Sequence, residues 1–404
     1  MAKTPNNIPH GYKATALGII PQEWEIKTLN KACYFLDSQR IPIKDSDRAK
    51  ISGIYPYYGA SGIIDYVNSY IFDDDLILLA EDGANIINRS TPIAFLVNGK
   101  IWVNNHAHVL KAKPSFDRYY LCVYLESLKY NKYNTGTAQP KLNREVCEKI
   151  PILTPPLAEQ KKIAEVLGVW DKAIEKQSQL IEQLTLRKRG LMQQLLTAKR
   201  RLPVFSGPWK KVRLGEICER VTRKNTEDNK NVMTISAQRG FVVQTDFFNK
   251  SVASETLESY YLVFKDEFCY NKSYSNGYPM GAIKRLSEAD KAVVTSLYIC
   301  FKVKSSMRVS IDYLAYYFDN GGLNKGLTKI ANEGGRAHGL LNVTPTDFLG
   351  LMFGIPSFEE QTAIAQVLTA ADREIELAQQ KLELLRQQKR GLMQQLLTGK
   401  KRVI

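Results

Sequence analysis

One segment of 44 residues occurs twice in this chain, and that repeat constrains the fold more than any other feature. Residues 159–202 return at 360–403 with an offset of 201 and no gap, and 24 of the 44 aligned positions are identical. A period near half the chain length indicates two copies of one unit, because solenoid repeats have periods of roughly 20–50 residues. The sequences between the copies are much less alike. The chain therefore keeps a scaffold and varies what the scaffold carries.

Each copy predicts one long helix, because apolar residues recur at alternating spacings of four and three over more than four heptads, as in a coiled-coil seam. Pro155 and Pro156 precede the first helix, and Ser357 with Glu360 matches a capping box before the second. We expect the two helices to pack on each other as an antiparallel coiled coil with pseudo-twofold symmetry. The predicted pairing positions are Ile163, Leu167, Ile174, Ile181, Leu184, Leu191 and Leu195 in the first copy and Ile364, Leu368, Ile375, Leu382, Leu385, Leu392 and Leu396 in the second.

Polar residues interrupt the predicted seam at Gln177, Lys188 and Lys389. A buried polar residue at such a position fixes helix register at a cost in stability. Two interpretations remain open: the lysines extend to solvent, or they mark where a partner or nucleic acid binds. The basic clusters near the helix ends also allow two interpretations, a favourable interaction with the helix dipole or contacts with phosphates.

The segments before each helix have mixed α/β patterns, so the predicted fold class is α+β. Short β-rich runs and helical stretches alternate with Gly, Asn and Asp turns, and the longest predicted strand is Lys291–Phe301. The two segments also share a pattern at a single offset, which predicts one fold with divergent loops. The matched residues are Trp24, Leu29 and Cys33 in the first segment and Trp209, Leu214 and Cys218 in the second.

Composition narrows the functional classes. Apolar residues make up 44% of the chain and charged residues 24%, as in soluble globular proteins, and no run of 18 apolar residues predicts a membrane span. The N-terminal residues lack the apolar core of a secretory signal, and six cysteines without a Cys-x-x-Cys pair favour reduced thiols, so we expect a cytoplasmic protein. The net charge of +15 favours a polyanionic partner, most simply nucleic acid.

This arrangement resembles the specificity subunit of type I restriction-modification systems over nearly the whole chain. The resemblance depends on the opening Pro21–Trp24, on the helix starts Pro155–Gln160 and Pro356–Gln361, and on the twice-used Lys-Arg-Gly-Leu-Met-Gln-Gln-Leu-Leu-Thr. The runs Tyr57–Gly62, Glu81–Asn85 and Val103–His108 are similar to the target-recognition domains of that family. The expected organisation is an N-terminal segment (1–20), recognition domain 1 (21–155), a helical region (156–202), recognition domain 2 (203–356) and a second helical region (357–404).

The resemblance implies that each recognition domain reads one half of a bipartite, asymmetric site in double-stranded DNA. The paired helices would set the spacing of the half-sites and dock two methyltransferase subunits. S-adenosylmethionine would bind those partners, whereas this chain would hold no cofactor. A restriction-translocation subunit can join such an assembly, and no membrane is involved. In one departure from the family pattern, the first domain begins close to the N-terminus, which leaves little chain ahead of it for packing against a partner.

Direct reading of base edges requires side chains such as Asn or Gln for adenine and Arg or Lys for guanine, carried on loops or strands. Turn formation and core packing are competing interpretations for the asparagines and tyrosines. The predicted DNA-binding residues are Tyr57, Tyr58, Ser61, Asn85, Asn88, Arg89, Asn104, Asn105, His106, His108, Gln139 and Lys141 in the first domain. In the second they are Asn271, Lys272, Ser275, Tyr278, Lys284, Arg285, Arg336, His338 and Asn342.

Motifs for catalysis or metal binding are missing from the sequence. It contains no G-x-x-x-x-G-K-[ST] phosphate loop, no Asn/Asp-Pro-Pro-aromatic motif and no glycine-rich cofactor loop. His106 and His108 have no Cys or carboxylate partners at ligand spacing, so we expect no metal site. The chain is therefore predicted to be non-catalytic. Two alternatives stay open: a coiled-coil interaction protein with incidental charge, or a single-chain DNA methyltransferase or nuclease.

Overall fold

The computed structural model describes residues 8–245, 257–333 and 341–403. The chain divides into two compact units: Met1–Ser178 with Gln380–Ile404 forms unit 1, and Gln179–Gln379 forms unit 2. Each unit contains one α/β domain together with a part of each of two long helices.

Unit 1 is built from short strands and helices that precede the first long helix. Its strands are β1 Tyr12–Thr15, β2 Gly18–Pro21, β3 Glu25–Thr28, β4 Cys33–Phe35, β5 Ser52–Gly59, β6 Gly62–Val67, β7 Phe72–Asp73, β8 Leu76–Ala80, β9 Ala94–Val97, β10 Lys100–Val103, β11 Ala107–Ala112 and β12 Pro151–Thr154. Its helices are α1 Leu29–Ala32, α2 Asp45–Arg48, α3 Asn85–Asn88, α4 Arg118–Ser127, α5 Arg144–Glu148 and the long α6 Leu157–Leu195, which continues into unit 2. Short 3₁₀ helices lie at Asp37–Gln39, Ala49–Ile51 and Asn131–Tyr133.

Unit 2 repeats this plan and ends in the second long helix. Its strands are β13 Lys210–Arg213, β14 Cys218–Arg220, β15 Met233–Ser236, β16 Gly240–Val243, β17 Tyr261–Phe264, β18 Phe268–Asn271, β19 Ala282–Arg285, β20 Lys291–Val294, β21 Ile299–Val303, β22 Asn332–Glu333, β23 Leu341–Asn342 and β24 Met352–Ile355. Its helices are α7 Leu214–Ile217, α8 Ile311–Asp319, α9 Asn324–Ile330, α10 Pro345–Leu349 and α11 Phe358–Leu396, whose last part belongs to unit 1.

Each α/β domain has its own core sheet, and the two core sheets have the same topology. The strand order is β4-β11-β8-β9 in unit 1 and β14-β21-β18-β19 in unit 2, and every neighbouring pair is antiparallel. Helices α4 and α8 pack against the corresponding edge strands β9 and β19. The predicted equivalence is therefore confirmed. Its matched leucines and cysteines lie in the two cores: Leu29, Cys33, Leu214 and Cys218.

Outside the core sheet the domains differ. Unit 1 adds a second four-stranded sheet, β6-β5-β10-β7, whereas the corresponding region of unit 2 contains the separate pairs β15-β16 and β17-β20. The prediction of one long strand over Lys291–Phe301 is wrong. The chain turns at Thr295, whose carbonyl oxygen accepts a hydrogen bond from the backbone N–H of Tyr298 at 3.2 Å. The apolar residues on both sides of Thr295 and Ser296 conceal this turn, because β20 and β21 are both largely buried.

A repeated glutamine anchors each domain to a long helix. Gln160 is fully buried; its Oε1 accepts a hydrogen bond from the backbone N–H of Asp117, the residue before α4, at 2.9 Å, and its Nε2 donates to the carbonyl of Pro155. Gln361 repeats the arrangement with Ser310, the residue before α8, and with Pro356. Each glutamine thus satisfies a backbone donor at a helix start, where intrahelical partners are lacking.

A repeated glutamate beside each glutamine receives an arginine from just beyond the end of the other long helix. In unit 1 the Glu159 carboxylate is bound by Arg402 at 2.6 and 2.9 Å and by the indole N–H of Trp24 at 2.9 Å. In unit 2 Glu360 is bound by Arg201 at 2.5 and 2.7 Å. The predicted capping box is therefore only half formed: Ser357 caps the backbone N–H of Glu360 at 3.3 Å, while the glutamate side chain faces Arg201.

These contacts show that α6 and α11 run antiparallel in each unit, since the start of one helix lies beside the end of the other. All predicted pairing positions are buried or half-buried. The seam lysines are held by ion pairs. Lys389 contacts Asp171 in unit 1 and Lys188 contacts Asp372 in unit 2, both at 2.5 Å, and each aspartate also accepts a tyrosine hydroxyl, from Tyr119 or Tyr316.

Candidate nucleic-acid interface

Three loops of unit 1 line an open surface cavity of about 410 Å³, which we call the Asn104 cavity. They are the β5–β6 turn, the segment after β8 and the β10–β11 loop. The lining residues are Gly59, Ala60, Ser61, Ile64, Asp82, Gly83, Ala84, Asn85, Asn104 and His106. The structure thus brings together four of the predicted DNA-binding residues, Ser61, Asn85, Asn104 and His106, on loops carried by rigid strands.

The β10–β11 loop is held by its own side chains. The backbone N–H of Asn104 donates to the carbonyl of Tyr58 at 3.0 Å, and the side-chain Oδ1 of Asn104 accepts the backbone N–H of His106 at 2.8 Å. The imidazole Nδ1 of His106 lies 2.8 Å from Oδ2 of Asp82. Asn104 is 5% exposed, whereas His106 is exposed. The loop is therefore fixed at its base and open at its tip.

Asn85 and Arg89 shape the segment after β8. The amide of Asn85 closes a turn onto Thr91, since its Oδ1 accepts the Thr91 N–H at 2.9 Å and its Nδ2 donates to the Thr91 carbonyl at 3.0 Å. Arg89 has a left-handed backbone with φ of 54° at the end of α3, and its guanidinium pairs with Glu126 at 2.9 Å. For both residues the structure favours a role in turn formation or packing over the predicted role in DNA binding.

A buried ionic network lies beneath the Asn104 cavity. His108 is fully buried; its Nδ1 lies 2.7 Å from Oδ2 of Asp37 and its Nε2 lies 2.8 Å from the carbonyl of Leu142. Both partners are acceptors, so both ring nitrogens carry protons and the imidazole is charged. Arg40 donates to Glu81 at 2.7 Å and to the carbonyl of Ala107 at 2.7 Å. The network joins β11 to the segments on either side of the cavity.

The ionisation of the network follows its geometry. Burial is the largest single influence on His108 and would lower its pKa, but the interactions with Asp37 and Cys147 together outweigh burial and raise that pKa to about 10. Burial is also the largest single influence on Asp37 and would raise its pKa, but the interactions with His108, the Val109 N–H and Arg40 together lower it below its usual value of 3.8. The pair is therefore charged at neutral pH.

Unit 2 places a lysine where unit 1 has Glu81. The backbone N–H of Leu142 donates to the carbonyl of Glu81 at 2.7 Å, and the N–H of Leu341 donates to the carbonyl of Lys272 at 3.1 Å, so the two positions correspond. Lys272 forms no ion pair with any residue in the described part of the chain, and burial lowers its pKa. Beside it, Oδ1 of Asn271 accepts the backbone N–H of Ser273 at 3.0 Å.

Two predicted cations of unit 2 face helix α8. Lys284 pairs with Asp319, which also accepts the hydroxyl of Tyr278 at 3.3 Å, and Arg285 pairs with Asp312 at 2.5 Å. Their charges are therefore neutralised within the unit.

The other predicted residues occupy varied positions. Tyr57 is 1% exposed and its hydroxyl accepts the backbone N–H of Ile43 at 3.0 Å, so Tyr57 and His108 support the loops from inside. Tyr58 packs on Phe95 with ring centroids 6.0 Å apart, and Lys141 lies 3.6 Å from Glu81. Asn88, Asn105, Gln139 and Asn342 are exposed, and Ser275 forms a bridge with Tyr278. Arg336 and His338 lie outside the described residues.

Sequence reasoning missed the residues that support the site rather than line it. Asp37, Arg40 and Glu81 form the buried network, and Asp82 orients His106. The run Glu81–Asp82 was visible as a carboxylate pair, but nothing in the sequence places it near Arg40 or His108. In the described ranges, no cluster of three or more His, Cys, Asp or Glu side chains is arranged to hold a metal ion. No helix found there has both the length and the apolar character that a bilayer crossing needs.

The family model and the relatives that this chain matches all concern specificity subunits of type I restriction enzymes. The family model described as type I restriction modification DNA specificity domain matches residues 21–186 and 206–387. A putative type I restriction enzyme specificity subunit of Haemophilus influenzae is 37% identical over 146 residues, which are 36% of this chain and 37% of that protein. The type I restriction enzyme MjaVIII specificity subunit of Methanocaldococcus jannaschii is 23% identical over 428 residues, covering 95% of this chain and 94% of that protein.

Solved structures share the fold at low identity. The crystal structure of a type I restriction-modification system S subunit from M. genitalium superposes with a TM-score of 0.54 at 15% identity, covering 92% of this chain and 96% of that chain. A chain from a study of complex assembly and conformational transition of the type I restriction-modification system gives a TM-score of 0.53 at 15% identity, covering 94% of this chain and 99% of that chain.

Proposed function

The chain belongs to the family of type I restriction-modification DNA specificity domains, and on that premise we propose how its two units divide the reading of DNA. It is a specificity subunit with two target-recognition domains. The domain of unit 1 reads one half of a split site through the Asn104 cavity and its rim, and the domain of unit 2 reads the other half near Lys272. The recognised site is bipartite and asymmetric, and the antiparallel helices α6 and α11 set the spacing between its halves.

The observation that carries this proposal is that the two domains have the same core sheet topology but residues of opposite charge at one corresponding position. The core sheets have the same strand order, but the strand end beside the candidate interface carries Glu81 in an ionic network in unit 1. In unit 2 it carries Lys272, which forms no ion pair with a described residue. Sequence-dependent DNA readout uses side-chain donors and acceptors against base edges. Two core sheets of the same strand order with different polar groups therefore suit two different half-sites.

The partners follow from the same premise. Two methyltransferase subunits dock on the helical regions, bind S-adenosylmethionine and methylate a flipped adenine, and a restriction-translocation subunit completes the assembly when one is present. The chain itself contributes recognition and no catalytic step. Purified alone and mixed with S-adenosylmethionine and duplex DNA, it should transfer no methyl group; transfer by the isolated chain would favour a single-chain methyltransferase.

The test of the proposed function is a methylome of the source organism, read by single-molecule sequencing. We expect a split, asymmetric motif with a modified adenine in each half, present in the parent strain and absent after deletion of this gene. A control strain with the gene restored should regain the motif. A motif that persists without the gene, or deletion that removes no motif in a strain with active methyltransferase subunits, would overturn the proposal.

A further inference from the structure

We propose that Asn104 reads DNA through its amide N–H group, so that the base facing it must present an acceptor. This inference rests on the proposed function of unit 1. The His106 backbone N–H holds one lone pair of the amide oxygen and so fixes where the amide nitrogen lies.

The orientation of the Asn104 amide is fixed. Its Oδ1 lies 2.8 Å from the backbone nitrogen of His106, which carries a proton and can only donate. A flipped amide would place its NH₂ group against that N–H, so the alternative assignment is excluded by the hydrogen-bonding partner. The nitrogen Nδ2 must therefore face away from the loop backbone.

This nitrogen is a donor that the protein leaves unused. Asn104 is 5% exposed and lines the cavity, yet its Nδ2 donates to no residue that the structure describes. The cavity of about 410 Å³ is open to solvent, so water reaches the amide in the free protein. When a base closes the cavity and displaces that water, the donor is satisfied only if the base edge offers an acceptor.

The neighbouring residues leave the donor accessible. Gly59 lines the same cavity, and a Cβ atom at this position would lie 3.5 Å from Nδ2 of Asn104 and 3.3 Å from Cγ2 of Ile64. Glycine therefore leaves the amide nitrogen uncovered on this side. His106 lies on the rim, where Asp82 holds its Nδ1.

The donor restricts the base that is read. In the major groove guanine offers N7 and O6, adenine offers N7 and thymine offers O4, whereas cytosine offers only its N4 amino donor. We therefore expect the half-site of unit 1 to contain one position that excludes cytosine on the strand facing Asn104. One unmatched hydrogen bond of typical strength corresponds to a discrimination of about tenfold.

The experiment selects bound duplexes from a randomised pool with the full-length chain and sequences them. Asn104→Asp keeps the oxygen that accepts the His106 N–H but replaces the donor by an acceptor, so one position of one half-site should change by about tenfold toward bases with an amino donor, cytosine or adenine. Asn131→Asp is the matched control, because it adds the same charge at an exposed asparagine of unit 1 that does not line the cavity. It should leave the preferred base unchanged.

A second variant covers the case in which the aspartate disturbs folding. Gly59→Ala places a methyl group against Nδ2 and leaves the bond between Asn104 and His106 intact, so the same position should lose its preference. No enriched split site with the wild-type chain would overturn the proposed function itself. A split site that neither variant alters, or that changes equally with Asn131→Asp, would overturn the inference about Asn104 alone. So would a preference of the wild-type chain for cytosine at the position that the variants change.

Discussion

Glu81 in unit 1 and Lys272 in unit 2 occupy the same place in the fold and have opposite charges. Each carbonyl accepts a backbone N–H from the segment that follows, from Leu142 or from Leu341. Around Glu81 the chain has built an ionic network with Arg40 and, beneath it, His108 and Asp37. Around Lys272 no described residue forms an ion pair, and burial lowers the pKa of the lysine.

The register of the two sheets extends the comparison to the strand beside this position. His108 pairs with Leu79 on β8, and Ile299 pairs with Tyr270 at the corresponding place on β18. A charged, doubly hydrogen-bonded residue thus has an aliphatic counterpart. At this position unit 1 therefore has a buried charge and unit 2 an apolar side chain.

The largest expected effect is the loss of stability when His108 is replaced, compared with the same replacement at its counterpart Ile299. His108→Leu leaves the Asp37 carboxylate and the Leu142 carbonyl without their partner, so the free energy of unfolding of unit 1 should fall by about 3–5 kcal/mol. Ile299→Leu, the matched change in unit 2, conserves volume and should lower it by less than about 1.5 kcal/mol. Urea unfolding of both variants measures the difference. Equal losses would show that the network gives unit 1 no special stability.

The same pair predicts a pH dependence confined to unit 1. Folding raises the pKa of His108 from 6.5 to about 10, so the stability it contributes is complete below pH 6.5 and is lost as the pH rises through 10. Folding lowers the pKa of Asp37, so its contribution is present above pH 3.8 and is lost on acidification. Between pH 6.5 and 10 the wild type should lose stability that His108→Leu does not lose. Parallel stability curves would contradict the assignment.

A smaller difference is expected between the two matched tryptophans. Trp24 donates its indole N–H to the buried Glu159 carboxylate at 2.9 Å, whereas the buried Nε1 of Trp209 has no hydrogen-bond partner among the residues that the structure describes. Hydrogen bonds to charged groups contribute about 1.5–3 kcal/mol. Trp24→Phe should therefore destabilise unit 1 by that much more than Trp209→Phe destabilises unit 2, since both remove similar volume. Thermal unfolding measures the difference, and equal effects would contradict it.

Replacing the seam lysine should change the stability of the two units by the same small amount. Lys389 with Asp171 and Lys188 with Asp372 have the same length and similar partial exposure, and the aspartates are 42% exposed in both pairs. Ion pairs of this kind contribute about 1 kcal/mol or less. Lys389→Met and Lys188→Met should therefore have equally small effects on stability in urea unfolding. A large and unequal effect would show that one lysine has a separate role.

The smallest expected effect concerns salt. If Lys272 contacts a phosphate, Lys272→Ala should make the log–log salt dependence of DNA binding shallower by about 0.9, which is about threefold in affinity between 50 and 200 mM salt. Lys284→Ala is the matched control, because Lys284 is already paired with Asp319. Its salt dependence should equal that of the wild type. Equal changes in both variants would show that net charge, and not position, sets the effect.

The two long helices and the equivalence of the two domains could be predicted from the sequence, because both depend on patterns that are visible along the chain. The heptads predicted α6 and α11, and the shared offset from Trp24 to Trp209 predicted equivalent domains. The strand over Lys291–Phe301 failed because apolar content does not reveal where a buried chain reverses direction. The repeated Glu159 and Gln160 were recognised as a family pattern, but their partners Arg402 and Asp117 are far away in sequence.

The candidate site was less predictable because it depends on which polar atoms are already occupied. Asn85, Arg89 and Arg285 have residue types suited to DNA, yet contacts with distant or turn residues use their polar groups. His106 and His108 were both predicted to bind DNA, but His106 is exposed and His108 is fully buried. Only the structure shows that the oxygen of Asn104 accepts the His106 N–H, whereas its nitrogen donates to no described residue.

A duplicated-domain chimera tests the central claim most directly. The chimera carries the sequence of residues 23–154 in place of residues 208–355, joined at the corresponding strands before α6 and α11. Expressed with its partner subunits in a strain lacking the original gene, it should produce a methylome motif made of two inverted copies of the half-site read by unit 1. A folded chimera that still specifies the original asymmetric motif, or a motif containing neither half-site, would contradict the account.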